Sequence, residues 1–408
     1  METIKNKLKS KLLPIYLIIN ILYITICRYF CVINEMTAKT FSLGLIIFMF
    51  LNLFISIVLV SMKYKRNKID IFLLLIMVFG IISTIFSHNF NMAVFGEDGR
   101  YEGILTICYY ISLVFLSSYV KEKDKKMIVY TIVFTGLVQL IYGFYYKHKY
   151  NVPYIIGFTT NPNFFGTYIL MCLCYCIGLF MDNKNIYLKI ILLFLIYTFT
   201  LGLLTINTLS ALVGLIGVVL LLIIYSIKMK YLKQYLVIVV TILLSLCLAH
   251  CLKMTDLLND LFKTVGETTN IVSGDLDDNY GTGRLYVWKR SVPLIPKYMI
   301  KGIGVDNFRY IDNGKAIRNK AGIFDKAHNE YLQIIITTGI FSLLSYLALH
   351  IIIVLNGIKS SFKNKKIYLL VPIIGYLIQA QFNISVIEVA PMFYIGLGLL
   401  VERENSKI

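Results

Sequence analysis

The chain has 408 residues, 58% of them hydrophobic, and a formal net charge of +18. A soluble domain is roughly 45–50% apolar, and the surplus here is gathered into runs of about 20 residues, long enough to cross ~30 Å of hydrocarbon. The runs exclude a single soluble core. The basic residues fall in short clusters between runs, with no basic–aromatic repeats on a polar scaffold, which excludes a nucleic-acid partner.

In chain order, a basic N-terminal tail (Lys5, Lys7, Lys9, Lys11) precedes the first run, 12–33. The pattern has the look of a signal peptide. The run is too long, however, lacks a small-residue cleavage site and is followed by further runs, so an uncleaved first span is expected. Further runs follow at 41–62, 69–86, 104–120, 127–146, 164–181, 186–206, 209–227, 235–252, 331–358, 367–382 and 389–401. The predicted fold is therefore all-α, a multi-pass membrane protein of about twelve spans. It divides into residues 1–252 with spans 1–9, a large loop over 253–330, and residues 331–408 with spans 10–12 and a tail.

Orientation follows from the short loops. Those around residues 63–68, 121–126, 228–233 and 359–366 are basic, 182–185 weakly so, and the alternate ones (34–40, 87–103, 207–208) are nearly without Lys or Arg. By the positive-inside rule both termini are cytoplasmic and 253–330 lies outside. The twelve basic residues of that loop are no obstacle, because segments beyond about 60 residues escape the bias. All eight cysteines lie in or at the ends of runs, so no disulfide framework is expected outside the membrane. Cys172, Cys174 and Cys176 would point in different directions on a helix and read as small apolar residues rather than metal ligands.

Within the large loop, 275–283 reads as turns, and 253 to about Gly283 as spacer. Arg284 and Trp288, at helical i, i+4 spacing, suit a short helix, which Pro293 and Pro296 interrupt. Gly302-Ile-Gly304 is a tight turn, and Asp325 to Asn329 leads into the next span. The strongest constellation is Arg284 and Trp288 with His328-Asn329 at a span mouth. Arginine binds phosphate oxygens in bidentate fashion. A histidine at a helix start is held neutral by the dipole and can take a proton from a hydroxyl. One cation and one base at a membrane surface suit a lipid-diphosphate donor and a hydroxyl acceptor.

Arg100, the only cation among Glu97, Asp98 and Glu102, is a second candidate for phosphate or sugar, with a local ion pair as the plainer reading. Asn161-Pro-Asn163 opens a span as a cap, with amide contacts to sugar hydroxyls as the alternative. Asp275, Asp277, Asp278 and Asn279 lack the full calcium-loop pattern and read as turn formers. Arg28, His250 and Lys189 lie near span ends, where snorkelling explains them. His350 lies deeper without an evident partner. No Asp or Glu stands in mid-span, which argues against an ion-coupled carrier.

Taken together, these motifs resemble the O-antigen ligase and polysaccharide polymerase superfamily. They stand as Gly283-Arg284-Leu-Tyr-Val-Trp288, Pro296, Gly302-Ile-Gly304-Val-Asp-Asn-Phe308 and Ala327-His328-Asn329-Glu330-Tyr331-Leu332, with Gly339 downstream. Arg100-x-x-Gly103 and Asn161-Pro-Asn163 resemble more upstream segments of the family.

The resemblance implies an all-helical fold similar to the GT-C glycosyltransferases. It implies metal-independent glycan transfer, without a cofactor, from an undecaprenyl-diphosphate carrier to a hydroxyl acceptor outside a bacterial cytoplasmic membrane. By position, Arg284 would hold the diphosphate and His328 act as base. Trp288, Asn329, Asn161 and Asn163 are candidate glycan or acceptor contacts. Many relatives carry Ser-Arg or Thr-Arg at the start of the eighth span. Here the stretch is Thr208-Leu209-Ser210-Ala211, so a second cation must come from elsewhere: Arg100 by preference, or Lys289 or Arg290. A polymerase of surface polysaccharide repeat units is the first expectation. A ligase placing a finished glycan on a lipid, wall or protein acceptor is the alternative. A transporter or flippase for lipid-linked glycan is the alternative of another class.

Overall fold

A computed structural model describes residues 12–34, 38–61, 67–152, 154–159, 161–272, 280–281, 283–319 and 322–403. The basic N-terminal tail and the acidic run at 275–279 lie outside the described residues. Every one of the twelve apolar runs carries a helix. Eight helices are long and apolar enough to cross a membrane, and four apolar ones, Ile69–Ile85, Ile104–Ser117, Ile367–Gln379 and Ala390–Leu400, are shorter. The chain is thus a helical, multi-pass membrane protein.

Its centre is the helix Pro162–Asp182. Asn161 caps it, the side-chain oxygen accepting from the Asn163 backbone N–H at 2.8 Å, and Pro162 takes the first helical position. The helix is apolar on every side, and such a helix is stable only when surrounded. It is enclosed mainly by Ile367–Gln379 and Ile186–Ile206. At Gly178 a side chain would collide with the Tyr368 backbone, so this glycine permits the closest approach of the two helices. Cys172, Cys174 and Cys176 are all fully buried here, as packing residues. Peripheral helices present bulk outward instead: Phe50, Phe54 and Ile57 on Ala38–Ser61 are exposed, as a lipid-facing surface requires.

Four expectations need correction. The run 331–358 is not one helix: it is broken at Gly339 (φ +86°) into Glu330–Thr338 and Ile340–Asn364. The first third of the large loop is not a featureless spacer, because it contains the helix Leu257–Val272. Arg28 does not snorkel. It is buried and ion-paired with Glu388, since a charge held inside needs a partner. His350 has one too: its Nδ1 lies 2.7 Å from the Tyr346 carbonyl, and its ring stacks on Phe393. The all-α expectation also misses one detail, a two-stranded antiparallel hairpin, Ile317–Asn319 with Gly322–Phe324.

Candidate active site

The second half of the large loop folds around a small apolar core of its own, including Val287, Phe308, Ile311, Ala327 and Ile336. Its first helix, Arg284–Ser291, starts at Arg284 as the i, i+4 spacing predicts. Pro293 and Pro296 do not end it outright. They occupy first-turn positions of a 3-10 turn (Val292–Leu294) and a further helical turn (Ile295–Tyr298), where the missing N–H costs nothing. Trp288 is part of this frame: its indole N–H donates to the Ala327 carbonyl at 2.9 Å, fixing the residue before His328. The Gly302–Gly304 turn docks on the helix Glu330–Thr338, with the N–H groups of Ile303 and Gly304 donating to the carbonyls of Ile336 and Thr337 at 3.0 and 3.1 Å. Gly302 (φ +72°) lies so close to the Thr337 carbonyl that no side chain fits.

His328 sits one residue before the cap of that helix, in the left-handed region (φ +50°). Such a φ is uncommon outside glycine and is kept only where neighbours enforce it. Here they do. The Ala327 N–H donates to Gln333 Oε1 at 2.9 Å, Asn329 Oδ1 accepts from the Leu332 N–H at 2.9 Å, and Asn329 Nδ2 donates to the Gln381 carbonyl at 3.0 Å. The Asn329 amide is therefore engaged at both ends in holding the turn. His328 is half-buried, and its pKa is pushed down to about 4. Burial is the largest cause, followed by the Arg284 charge; Asp325 opposes, and Arg100 and Lys326 add to the lowering. Desolvation and the surrounding cations thus favour the neutral imidazole, in the same direction as a helix start does.

Three cations thus act on one imidazole through their charge. Arg284 donates from Nε to the Phe382 carbonyl at 3.1 Å and from Nη1 to the Gly281 carbonyl at 3.2 Å. Burial lowers its pKa. Arg100 reaches the site from the loop before Ile104–Ser117 and pairs with Asp325 at 2.9 Å, not with the carboxylates of its own loop. Lys326, which the sequence reading did not single out, is buried and ion-paired with Asp306. Burial pulls its pKa down to about 8. Asp306 also accepts from the Glu97 N–H at 2.6 Å, so the two loops are tied together beneath the histidine.

Behind this row lies a cavity of about 110 Å³, lined by Glu102, Asp306, Lys326, Glu330, Tyr110 and Tyr346 among others. Glu330 is buried and accepts from the hydroxyls of Tyr346 (2.6 Å) and Tyr376 (3.1 Å). Glu102 accepts from Tyr110 at 2.8 Å, and burial pushes its pKa up to about 8. Asp306, Lys326, Glu102 and Glu330 are the site residues that sequence reasoning missed. The available signal was a lysine two places before His328 and a glutamate two places after it.

Asn161 is used as a helix cap. The Asn163 carbonyl accepts from Asn383 Nδ2 at 3.3 Å, and the adjoining Phe382 carbonyl holds Arg284, so this helix start borders the site through the 380–385 loop. Leu209 lies in an apolar cluster with Leu204, Ala249 and Leu257 and offers no charge. Lys289 and Arg290 are on the far end of the Arg284 helix; Arg290 stacks on Tyr286, 4.6 Å from the ring centre. Among the described residues no group of three or more His, Cys, Asp or Glu could hold a metal ion.

Residues 190–347 match the family model described as O-antigen ligase. The match includes Arg284, Trp288 and His328 but ends upstream after the Arg100 and Asn161 segments, which it does not cover. No curated protein matches the chain.

Proposed function

We propose, from the premise that this chain belongs to the O-antigen ligase and polysaccharide polymerase superfamily, that it transfers a glycan from an undecaprenyl-diphosphate carrier to a hydroxyl of a growing polysaccharide. In this reading the acceptor oxygen attacks the anomeric carbon with inversion. Its proton passes to His328, and the bond to the lipid diphosphate breaks. Arg284 and Arg100 stabilise the charge that develops on the leaving group, which fixed cations do better in a partly dehydrated site than in water. Lys326 raises the local positive potential while Asp306 keeps it anchored. Trp288, Asn329 and Asn161 hold the frame, and Asn163 lies where a sugar could meet the span mouth. The reading includes twelve spans, both termini in the cytoplasm and the large loop on the outer face.

The observation that carries the proposal is a half-buried imidazole held at φ +50° one residue before a helix cap, with Arg284 and Arg100 among the charges that act on it. Catalysis by base and electrostatics needs that pairing. A carrier would need charges lining a path through its spans; Glu102, Asp306, Lys326 and Glu330 instead line one small cavity beside His328.

The test is purified protein in nanodiscs given undecaprenyl-diphosphate-linked repeat unit, with products separated by size. A ladder means polymerisation. A single addition to a separate acceptor means ligation, the runner-up. No new glycosidic bond, together with movement of the lipid-linked glycan across a vesicle bilayer, would replace the proposal with the transporter reading.

A further inference from the structure

The loop domain holds a second concavity, larger than the cavity behind His328. It has a volume of about 910 Å³ and is lined by Arg290, Arg309, Lys315 and Arg318, with Leu294, Tyr310, Ile317 and Ile323 as its apolar wall. Among the described residues Asp312 is the single carboxylate in the lining. The imbalance extends beyond the cleft: from 284 to 319 the chain has eight Lys and Arg against two Asp, and one of these, Asp306, is taken by Lys326. An ordinary solvated face mixes both signs.

The cleft is also built. Arg290 stacks on Tyr286, and the Tyr286 hydroxyl donates to the Arg318 carbonyl at 2.5 Å, joining the helix to the hairpin that carries Arg318. Arg309 is ion-paired with Glu97, three residues before Arg100. The same short loop therefore touches the cleft on one side and the His328 site on the other. A concave wall of low dielectric focuses the field of its cations on whatever enters. A volume of this order holds several sugar rings, whose C–H faces suit aromatic and aliphatic walls.

We propose that this cleft binds an acidic glycan, a saccharide chain bearing carboxylate or phosphate groups, as the portion of donor or acceptor polymer next to the transferred unit. The proposal deepens the glycan-transfer reading and rests on it for the identity of the polymer, but binding needs no turnover. The test uses the full chain in neutral phosphatidylcholine nanodiscs and reads binding by calorimetry, with hexagalacturonate as the carboxylate probe, a glycerol-phosphate oligomer as the phosphate probe and maltohexaose as the neutral control.

One or both acidic probes should bind, more weakly at high salt, and which one binds names the charge group. The Arg290→Gln/Lys315→Gln/Arg318→Gln variant should weaken binding about tenfold or more, since each lost charge-assisted contact approaches a factor of ten. Maltohexaose should not compete. Size-exclusion and thermal profiles matching the parent show that the variant is folded, and Lys315→Gln alone gives a milder second reading. Three results would overturn the proposal: no binding of either acidic probe, equal binding by parent and variant, or loss only of adhesion to phosphatidylglycerol vesicles, which would make the patch a lipid contact. Binding that persists in a protein showing no glycan transfer would sink the transfer reading and leave the cleft standing.

Discussion

Residues 257–272 and residues 284–330 belong to the same loop, yet they are held in different ways. The first segment is a helix held at its opening turn, where Leu257 is buried against Leu204 and Ala249 and Asn207 accepts from the Asp256 N–H at 3.2 Å, and again at Glu267, which accepts from the Gly281 N–H at 3.0 Å. Beyond that turn Phe262 and Val265 are exposed. The second segment has its own core, backbone bonds to the helix Glu330–Thr338, and ion pairs from Arg309 to Glu97 and from Asp325 to Arg100. The charges to which the proposed transfer assigns the diphosphate are found where packing fixes their supports. The difference separates a part that connects from a part that could react.

The comparison breaks most visibly at His328 and Arg284. In the transfer assay His328→Ala should cut product formation about 10²–10⁴-fold, and Arg284→Ala about 10²–10³-fold. Membrane abundance should be unchanged in both. Parent-length ladders from either variant would remove the reactive role from the second segment. Next in size is Lys326→Met, which leaves Asp306 charged and buried. Breaking such a pair costs about 3–5 kcal/mol, seen as a lower unfolding temperature in detergent, and the added change Asp306→Asn should recover part of it.

The pH profile sharpens the electrostatic side. An unperturbed histidine titrates near 6.5, whereas His328 is held at about 4. The neutral, proton-accepting form therefore persists above about pH 4 and is lost only as pH falls through that value. Transfer rates measured between pH 5 and 7 should show no histidine limb; a midpoint near 6.5 would mean that the imidazole is solvated. Trp288→Phe keeps the aromatic bulk but leaves the Ala327 carbonyl unpaired. It should cost about 1 kcal/mol in stability and a few-fold in rate by loosening the turn at His328. Smallest of all, Phe262→Ser in the first segment should leave transfer at the parent level and stability within about 0.5 kcal/mol.

Much of the fold was legible because apolar runs of membrane length have few other uses. The short loop helix starting at Arg284 was legible from its spacing; Arg100 stood out as the lone cation of its loop, and His328 through its place at a span mouth and the family resemblance. What periodicity could not show was the break at Gly339, since apolar residues continue on both sides of it. Nor could it show Arg28 beside Glu388, which are 360 residues apart in sequence. Lys326 and Asp306 escaped for a related reason. Charged residues in a polar loop look solvated until folding buries them, and here Asp306 meets the backbone of Glu97, more than 200 residues upstream. The hairpin at 317–324 was too short to leave an alternation pattern.

The break at Gly339 bears on how such a chain is made. The Thr337 carbonyl is taken by the Gly304 N–H and by Ser83 Oγ (2.5 Å), and the Ile340 N–H donates to the Met299 carbonyl at 2.7 Å. Backbone groups freed inside an apolar layer must find partners, and two of these three partners come from the loop, not from other spans. Insertion can deliver Ile340–Asn364 to the bilayer as an ordinary hydrophobic segment. The short helix Glu330–Thr338 completes its hydrogen bonding only when residues 299–304 pack against it. Residues 253–330 expressed alone, or the spans expressed without them, should each lack the other's missing half, so on the proposed topology the folding of the loop and the completion of the site form one step.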